Sequence, residues 1–228
     1  MTVSAVVEDG VLVVTLDDGK MNAINHDLLD GLHDALDRAV DEAGAVCLRG
    51  NDRALSAGFD LSVMTGPPDG MRALVTAGAE WIMRLYLHPQ PTVVAVTGHA
   101  LAAGALVLLA CDTRIAADGP SKIGLNEVAI GLALPAFASE LALARLSKRY
   151  LTRATVQAEV FDPAGAMAAG YVDRIADDCV ADALAEAKRL SELRRGAYAR
   201  TKRSIRKPMV EHVLQFLDHD LAELIIER

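Results

Sequence analysis

A chain of 228 residues with 52% hydrophobic content can bury one sizeable core, as one domain with or without an appendage. Its net charge of −8 excludes a general nucleic-acid or anionic-membrane surface, since both need a basic face. Cys47, Cys111 and Cys179 are widely spaced and odd in number, which fits neither a disulfide framework nor a metal site and reads as reduced thiols in a cytoplasmic protein.

The polar N-terminus enters a strand pattern within a few residues, so no signal or transit peptide is expected. Val3 to Asp17 reads as two alternating strands around Asp9-Gly10, a favoured hairpin turn. From His26 to Ala43, Leu28, Leu29, Leu32, Ala35, Leu36, Ala39 and Val40 form one helical stripe, with Asn25 as the cap. Ala45 to Arg49 is a short buried strand. The polar turn Asn51 to Arg53 then gives way to small residues, Gly66 to Gly70 is a loop, and a helix from Met71 to Leu87 stops before Pro89 and Pro91.

Thr92 to Val96 has the β-branched character of a strand buried on both faces, and Thr113 to Ala117 repeats it. A strand-to-loop segment from Ile123 leads to a helix over Ala136 to Ser147. Asp162-Pro163 opens a further helix that Gly170 closes, and Tyr171 to Ile175 is a last strand. Helices over Ala181 to Leu193 and Ala197 to Arg206 follow, Pro208 breaks the run, and Met209 to Glu227 carries Val213, Leu214, Phe216, Leu217, Leu221, Leu224 and Ile225. That stripe is wider than one small helix needs and predicts an intersubunit surface. The alternation predicts an α/β fold with mostly parallel sheet over residues 1–176, and a helical, oligomerising region over 177–228.

Between the two buried strands, Thr97 to Asp112 runs from a strand end through a turn of Ala100, Ala102, Ala103 and Gly104 into a short apolar helix. The run from Ala100 to Cys111 is too short to span a bilayer. Such a turn is either a close-packed helix start or a site where orphan N–H groups and the helix dipole hold negative charge, including an oxyanion formed during a reaction.

Three stretches together resemble the crotonase, or enoyl-CoA hydratase/isomerase, superfamily: Ala54-Leu55-Ser56-Ala57-Gly58-Phe59-Asp60-Leu61, Pro91 through Gly104, and Asp162-Pro163-Ala164 through Gly170-Tyr171-Val172-Asp173. Asn22-Ala23-Ile24 is similar to the family's first ligand-facing loop. The resemblance implies a spiral of ββα units, a C-terminal helical trimerisation region, a homotrimer or dimer of trimers, and an acyl-CoA thioester as substrate with no separate cofactor. It also implies that the backbone N–H groups of Phe59 and Ala103 hold the thioester oxygen, with Ala23, Ala57, Asp60, Leu61 and Leu106 around the substrate. The basic residue that commonly follows the DL pair is replaced by Ser62 and Val63; Arg53, Arg72 or a basic residue of the C-terminal helices is left to meet the CoA phosphates.

Hydratases of this family resemble one another in using two glutamates. The first would stand three residues after Ala103, where this chain has Leu106, and the second matches Glu127. One carboxylate suits the family's Δ3,Δ2-enoyl-CoA isomerases, whose segment looks like Gly124 to Pro135; the apolar neighbours Val128, Ala129, Ile130, Leu132 and Leu134 are expected to desolvate Glu127 and raise its pKa. Read from its residues alone, Glu127 could equally be a solvated loop acid. Pro135 stands where the dienoyl-CoA isomerases carry aspartate. The first reading is therefore an enoyl-CoA isomerase, with a one-carboxylate hydratase and a non-catalytic acyl-CoA-binding member as alternatives. His99 and Asp112 read as structural groups, and Glu140 as a candidate for the acyl pocket.

Overall fold

The computed structural model describes residues 2–224. Strands β1 (Val3–Glu8) and β2 (Val11–Leu16) form the hairpin around Asp9-Gly10, and helix α1 (His26–Glu42) follows with the Asn25 side chain accepting the Leu28 N–H. From there one three-part unit recurs. Strand β3 (Ala45–Arg49) is followed by β4 (Ala54–Ser56) and helices α2 (Leu61–Met64) and α3 (Pro68–Tyr86); β5 (Thr92–Val96) by β6 (His99–Leu101) and α4 (Ala103–Ala110); and β7 (Thr113–Ala117) by β8 (Ile123–Gly124) and α5 (Ala136–Arg145). The first strand of each unit joins a large sheet of order β1-β2-β3-β5-β7-β9, parallel beyond the β1–β2 hairpin, and the second joins a small parallel sheet of order β4-β6-β8. This is the expected spiral of ββα units. Short helices α6 (Leu151–Ala154) and α7 (Pro163–Ala169) lead to β9 (Arg174–Ala176), and α8 (Cys179–Ser191) and α9 (Arg195–Ala222) end the described chain.

The period of two along each strand sorts the core into two layers. Val13, Cys47, Val93, Ala95 and Ile115 face α8 through Cys179, Ala183 and Ala187, whereas Val14, Leu48, Val94 and Val96 face the larger cluster built with α1, α3 and α4. The apolar strand Thr92–Val96 is thus buried on both faces, as its composition predicts. No helix among the described residues is long and apolar enough to cross a membrane.

Several boundaries differ from the sequence reading. The helix expected from Met71 begins at Pro68, because Pro67-Pro68 supplies a preformed first turn that reads as loop. The first helix ends one residue early, at Glu42, and Val40 at its edge is 38% exposed. The helix read to Ser147 ends at Arg145, the one read from Ala181 starts at Cys179 under the Asp178 cap, and the last strand begins at Arg174. Pro208 does not break the C-terminal run: α9 passes through it unbroken. Pro208 and Ser204, whose carbonyl loses its helical donor, are both exposed, so water can satisfy that carbonyl. The part of the expected helix beyond Leu224, including Ile225, lies outside the described residues.

The helix is also clamped ahead of the proline. Asp112 accepts from Lys202 Nζ at 2.8 Å and Tyr198 Oη at 2.7 Å, and Arg206 Nη1 lies 2.7 Å from its other oxygen in an ion pair outside hydrogen-bond geometry. Burial opposes the Asp112 charge, yet Lys202 and Arg206 hold its carboxyl below the ordinary range; burial draws the Lys202 ammonium down to about 8 against the pull of Asp112. Asp112, read as a buried structural acid, is therefore the anchor of α9. Removing one partner of a buried ion cluster strands the others, so Asp112→Ala should lower unfolding stability by about 3–5 kcal/mol in urea titrations, and Asp112→Ala with Lys202→Met should recover part of it.

Candidate active site

A cavity of about 820 Å³ opens where the three strands of the small sheet end. Phe59 follows β4, Ala103 follows β6 and Glu127 follows β8, each two or three residues past the carboxyl end of its strand. Parallel strands pointing the same way deliver all three to one place, a common location for ligands in α/β folds.

Two backbone donors are set by the trans geometry of their own peptides, in which C=O and N–H point opposite ways. The Gly58 carbonyl accepts the Ile24 N–H at 2.8 Å, which turns the Phe59 N–H away from that contact. The Ala102 carbonyl accepts from Ala105 at 2.8 Å and Leu106 at 3.2 Å, which turns the Ala103 N–H away from the first turn of α4. Neither N–H has an acceptor among the described residues. Ala102 holds φ +50°, ψ −125°, a conformation that costs a non-glycine residue about 1–3 kcal/mol and is stored where surrounding structure imposes it. The two loops touch: a Cβ placed on Gly58, at φ +100°, would lie 3.0 Å from Ala102 Cβ and 3.4 Å from the Ala103 nitrogen.

The first of these loops is tied down by Asn22, which is fully buried. Its Nδ2 donates to the carbonyls of Leu16 at 3.0 Å and Ala54 at 2.9 Å, its own carbonyl accepts from Ser56 Oγ at 2.7 Å, and that hydroxyl accepts the Gly58 N–H at 3.1 Å. A sequence motif read as ligand-facing is thus half brace, through Asn22, and half lining, through Ala23.

Glu127 heads a single 3₁₀ turn, Val128–Ile130, and its carbonyl accepts from Ile130 and Leu132, both at 3.0 Å. Its side chain lines the cavity, the residue is 5% exposed, and Oε2 is buried with no hydrogen-bond partner among the described residues. Burial pushes its carboxyl up to about 7, with a partial offset from a hydrogen bond to its own N–H. The groups that desolvate it match the expectation only in part: Leu132 is buried and lines the cavity, and Ile130 lines it while 47% exposed, whereas Val128 at 45% and Ala129 are exposed and, like Leu134, do not line it. The rest of the apolar wall comes from α4 and α5, through Leu106, Phe137 and Ala138. A one-turn helix can present only part of its residues to the cavity, so much of the burial comes from other elements.

Of the remaining sequence candidates, Ala57, Leu61 and Leu106 line the cavity. Asp60 does not; its carboxylate caps α2, accepting from the Ser62 N–H at 2.8 Å. Ala103 is not among the lining residues and its methyl is buried in the core; its nitrogen would lie 3.4 Å from a Cβ on Gly58, which does line the cavity. His99 accepts the Lys122 N–H at 2.9 Å on the small sheet, Arg72 pairs with Asp69 at 2.6 Å, and neither of them, nor Glu140 or Arg53, lines the cavity. Several lining residues escaped the sequence reading, among them Met64, Thr65, Val75 and Phe137 as well as Lys20 and Asn126. Lys20, exposed at the rim, sits in a segment that reads only as a turn, and Asn126, whose Oδ1 is buried and unpartnered, stands beside Glu127.

Residues 7–223 match the family described as "Enoyl-CoA hydratase/isomerase". An enoyl-CoA hydratase/isomerase family protein from Pseudomonas syringae is 38% identical, with a TM-score of 0.95 over 98% of both chains. An enoyl-CoA isomerase from Mycobacterium tuberculosis, solved without ligand, is 35% identical, with a TM-score of 0.92 over 97% of this chain and 98% of that one. A probable enoyl-CoA hydratase from Bacillus subtilis is 32% identical over 148 residues; the match spans 63% of this chain and only 56% of that relative.

Proposed function

The chain belongs to the enoyl-CoA hydratase/isomerase family, and on that premise we propose that it is an enoyl-CoA isomerase, moving a double bond from C3 to C2 of an acyl-CoA thioester. The observation that carries the reading is that Glu127 is the only carboxylate lining the cavity among the described residues, while Leu106 faces the same space. In this reading the Glu127 carboxylate takes a proton from C2, and the electron pair moves onto the thioester oxygen between the Phe59 and Ala103 N–H groups. The resulting dienolate takes the same proton back at C4, which leaves the double bond conjugated and the mass unchanged. Lys20 at the rim is the cation best placed for the CoA phosphates, and CoA enters as part of the substrate with no separate cofactor. The apolar side chains left exposed on α5 and α9, Leu143, Ile205, Leu214 and Phe216, support association into a homotrimer or dimer of trimers. A cytoplasmic location goes with this reading.

A second reading, a slow one-carboxylate hydratase, is favoured by one feature. Asn126 Oδ1 and Glu127 Oε2 are neighbouring acceptors without donors, and a water held between them would stand ready for addition at C3. Incubation with 3-enoyl-CoA and 2-enoyl-CoA of several chain lengths, with products identified by mass and absorbance, separates the readings. The expected result is conversion of 3-enoyl to 2-enoyl thioester at constant mass. A dominant product heavier by one water would favour the hydratase, and CoA-thioester binding without turnover would identify a non-catalytic member.

A further inference from the structure

We propose that Gly78 and Phe59 act as a specificity-determining pair, in which the bare backbone at Gly78 is a notch that stores the Phe59 ring outside the space the acyl chain occupies. The inference rests on reading the cavity as an acyl-thioester site. Gly78 is a buried residue well inside α3, a helix of 19 residues. Glycine there is destabilising relative to alanine, so its presence calls for a packing reason. A Cβ built at position 78 has the Phe59 ring as its three nearest neighbours: Cε1 at 2.4 Å, Cζ at 2.5 Å and Cδ1 at 3.7 Å. The closest of these falls 1.0 Å short of the 3.4 Å at which ordinary contact begins (3.4 − 2.4).

The main chain of Phe59 cannot retreat with its ring. It is held on both sides, by the Ile24 N–H on the Gly58 carbonyl at 2.8 Å and by the Asp60 N–H on the Ile24 carbonyl at 2.9 Å. A side chain at 78 must therefore be accommodated by rotation of the ring. Phe59 already lines the cavity together with Val75, one turn before Gly78 on α3, and Met64. A ring driven from the notch turns into that space, while the Phe59 N–H, a backbone group, keeps its place. Acyl length is then limited by where one aromatic ring is parked.

The test compares the intact protein with Gly78→Ala, Phe59→Ala and the double variant, by calorimetric binding of octanoyl-CoA and acetyl-CoA and by a crystal structure of Gly78→Ala. Overpacking of this kind should weaken octanoyl-CoA binding by ~10-fold or more in Gly78→Ala, with acetyl-CoA changed by less than ~3-fold. The double variant, which has no ring to expel, should bring octanoyl-CoA back to within ~3-fold of the unaltered protein. The Gly78→Ala crystal should show the ring turned out of the notch. Equal losses for both thioesters, lack of rescue in the double variant, or a ring left in place would each overturn the proposal. Failure of the unaltered protein to bind either thioester would instead sink the functional reading, and the ring position in the Gly78→Ala crystal would then decide the notch by itself.

Discussion

Glu127→Gln should lower kcat for double-bond migration by ~10²–10⁴-fold, the range that positioned proton transfer supplies, while KM stays within a few-fold. Glutamine fills the same volume beside Leu106 and Phe137 but neither takes the C2 proton nor returns it. The pH profile of the unaltered protein gives an independent check. Because burial raises the Glu127 carboxyl to about 7, kcat/KM should climb as pH rises through about 7 and level off above it, where the carboxylate is ionised. A profile flat from pH 5 to 9, or migration that survives Glu127→Gln, would remove Glu127 from the role of base.

Stability should run the other way. Between the ordinary Glu value of 4.5 and about 7, the folded chain binds a proton that the unfolded chain has released, so raising the pH across that window costs stability through this residue. Glu127→Gln abolishes that cost. At pH 8 the variant should unfold at a higher temperature than the parent and, at the same time, be inactive. A residue that only supported the fold would lose stability together with activity; opposite signs at one position mark a group held for chemistry.

Gly58→Ala should cost ~10²–10³-fold in kcat without moving the midpoint of the pH profile. The added methyl would stand 3.4 Å from the Ala103 nitrogen and 3.0 Å from the Ala102 methyl, crowding the N–H that the proposed mechanism aims at the thioester oxygen. The substitution is strained as well, since Gly58 holds φ +100°. A loop that shifts to relieve either problem moves the Phe59 N–H with it. Steady-state rates across pH separate this variant from Glu127→Gln: its profile keeps the shape of the parent at a lower height. A shifted midpoint would mean that the loop governs the base rather than the oxygen.

Much of this protein is readable from its chain because local pattern and burial agree. The stripe Leu28, Leu29, Leu32, Leu36 can only be the buried face of α1, and the β-branched run Thr92–Val96 can only be a strand covered on both sides. Glu127 and Leu106 could be singled out by their places in motifs, which identified the family and pointed to a single carboxylate. Where the pattern was too short to carry a period, it said nothing. Strands β4, β6 and β8 have three, three and two residues, below the length at which alternation can be recognised.

What the sequence determined by itself was the α/β alternation, the apolar strands of the large sheet, the capped helices and the identities of the residues available for chemistry, because each depends on neighbours along the chain. The family resemblance grouped Phe59, Ala103 and Glu127, but only the tertiary structure decided the framework that brings them together, a small sheet whose carboxyl edge each of them follows. Three short strands, more than 20 residues apart along the chain, have no local stability of their own and form only when paired. The same holds for much of the burial of Glu127, to which its exposed neighbours Val128 and Ala129 add no lining and which Leu106 of α4 and Phe137 and Ala138 of α5 complete. It holds again for α9, which runs unbroken through Pro208 where the Ser204 carbonyl is exposed to water, and which Lys202 and Arg206 anchor on Asp112.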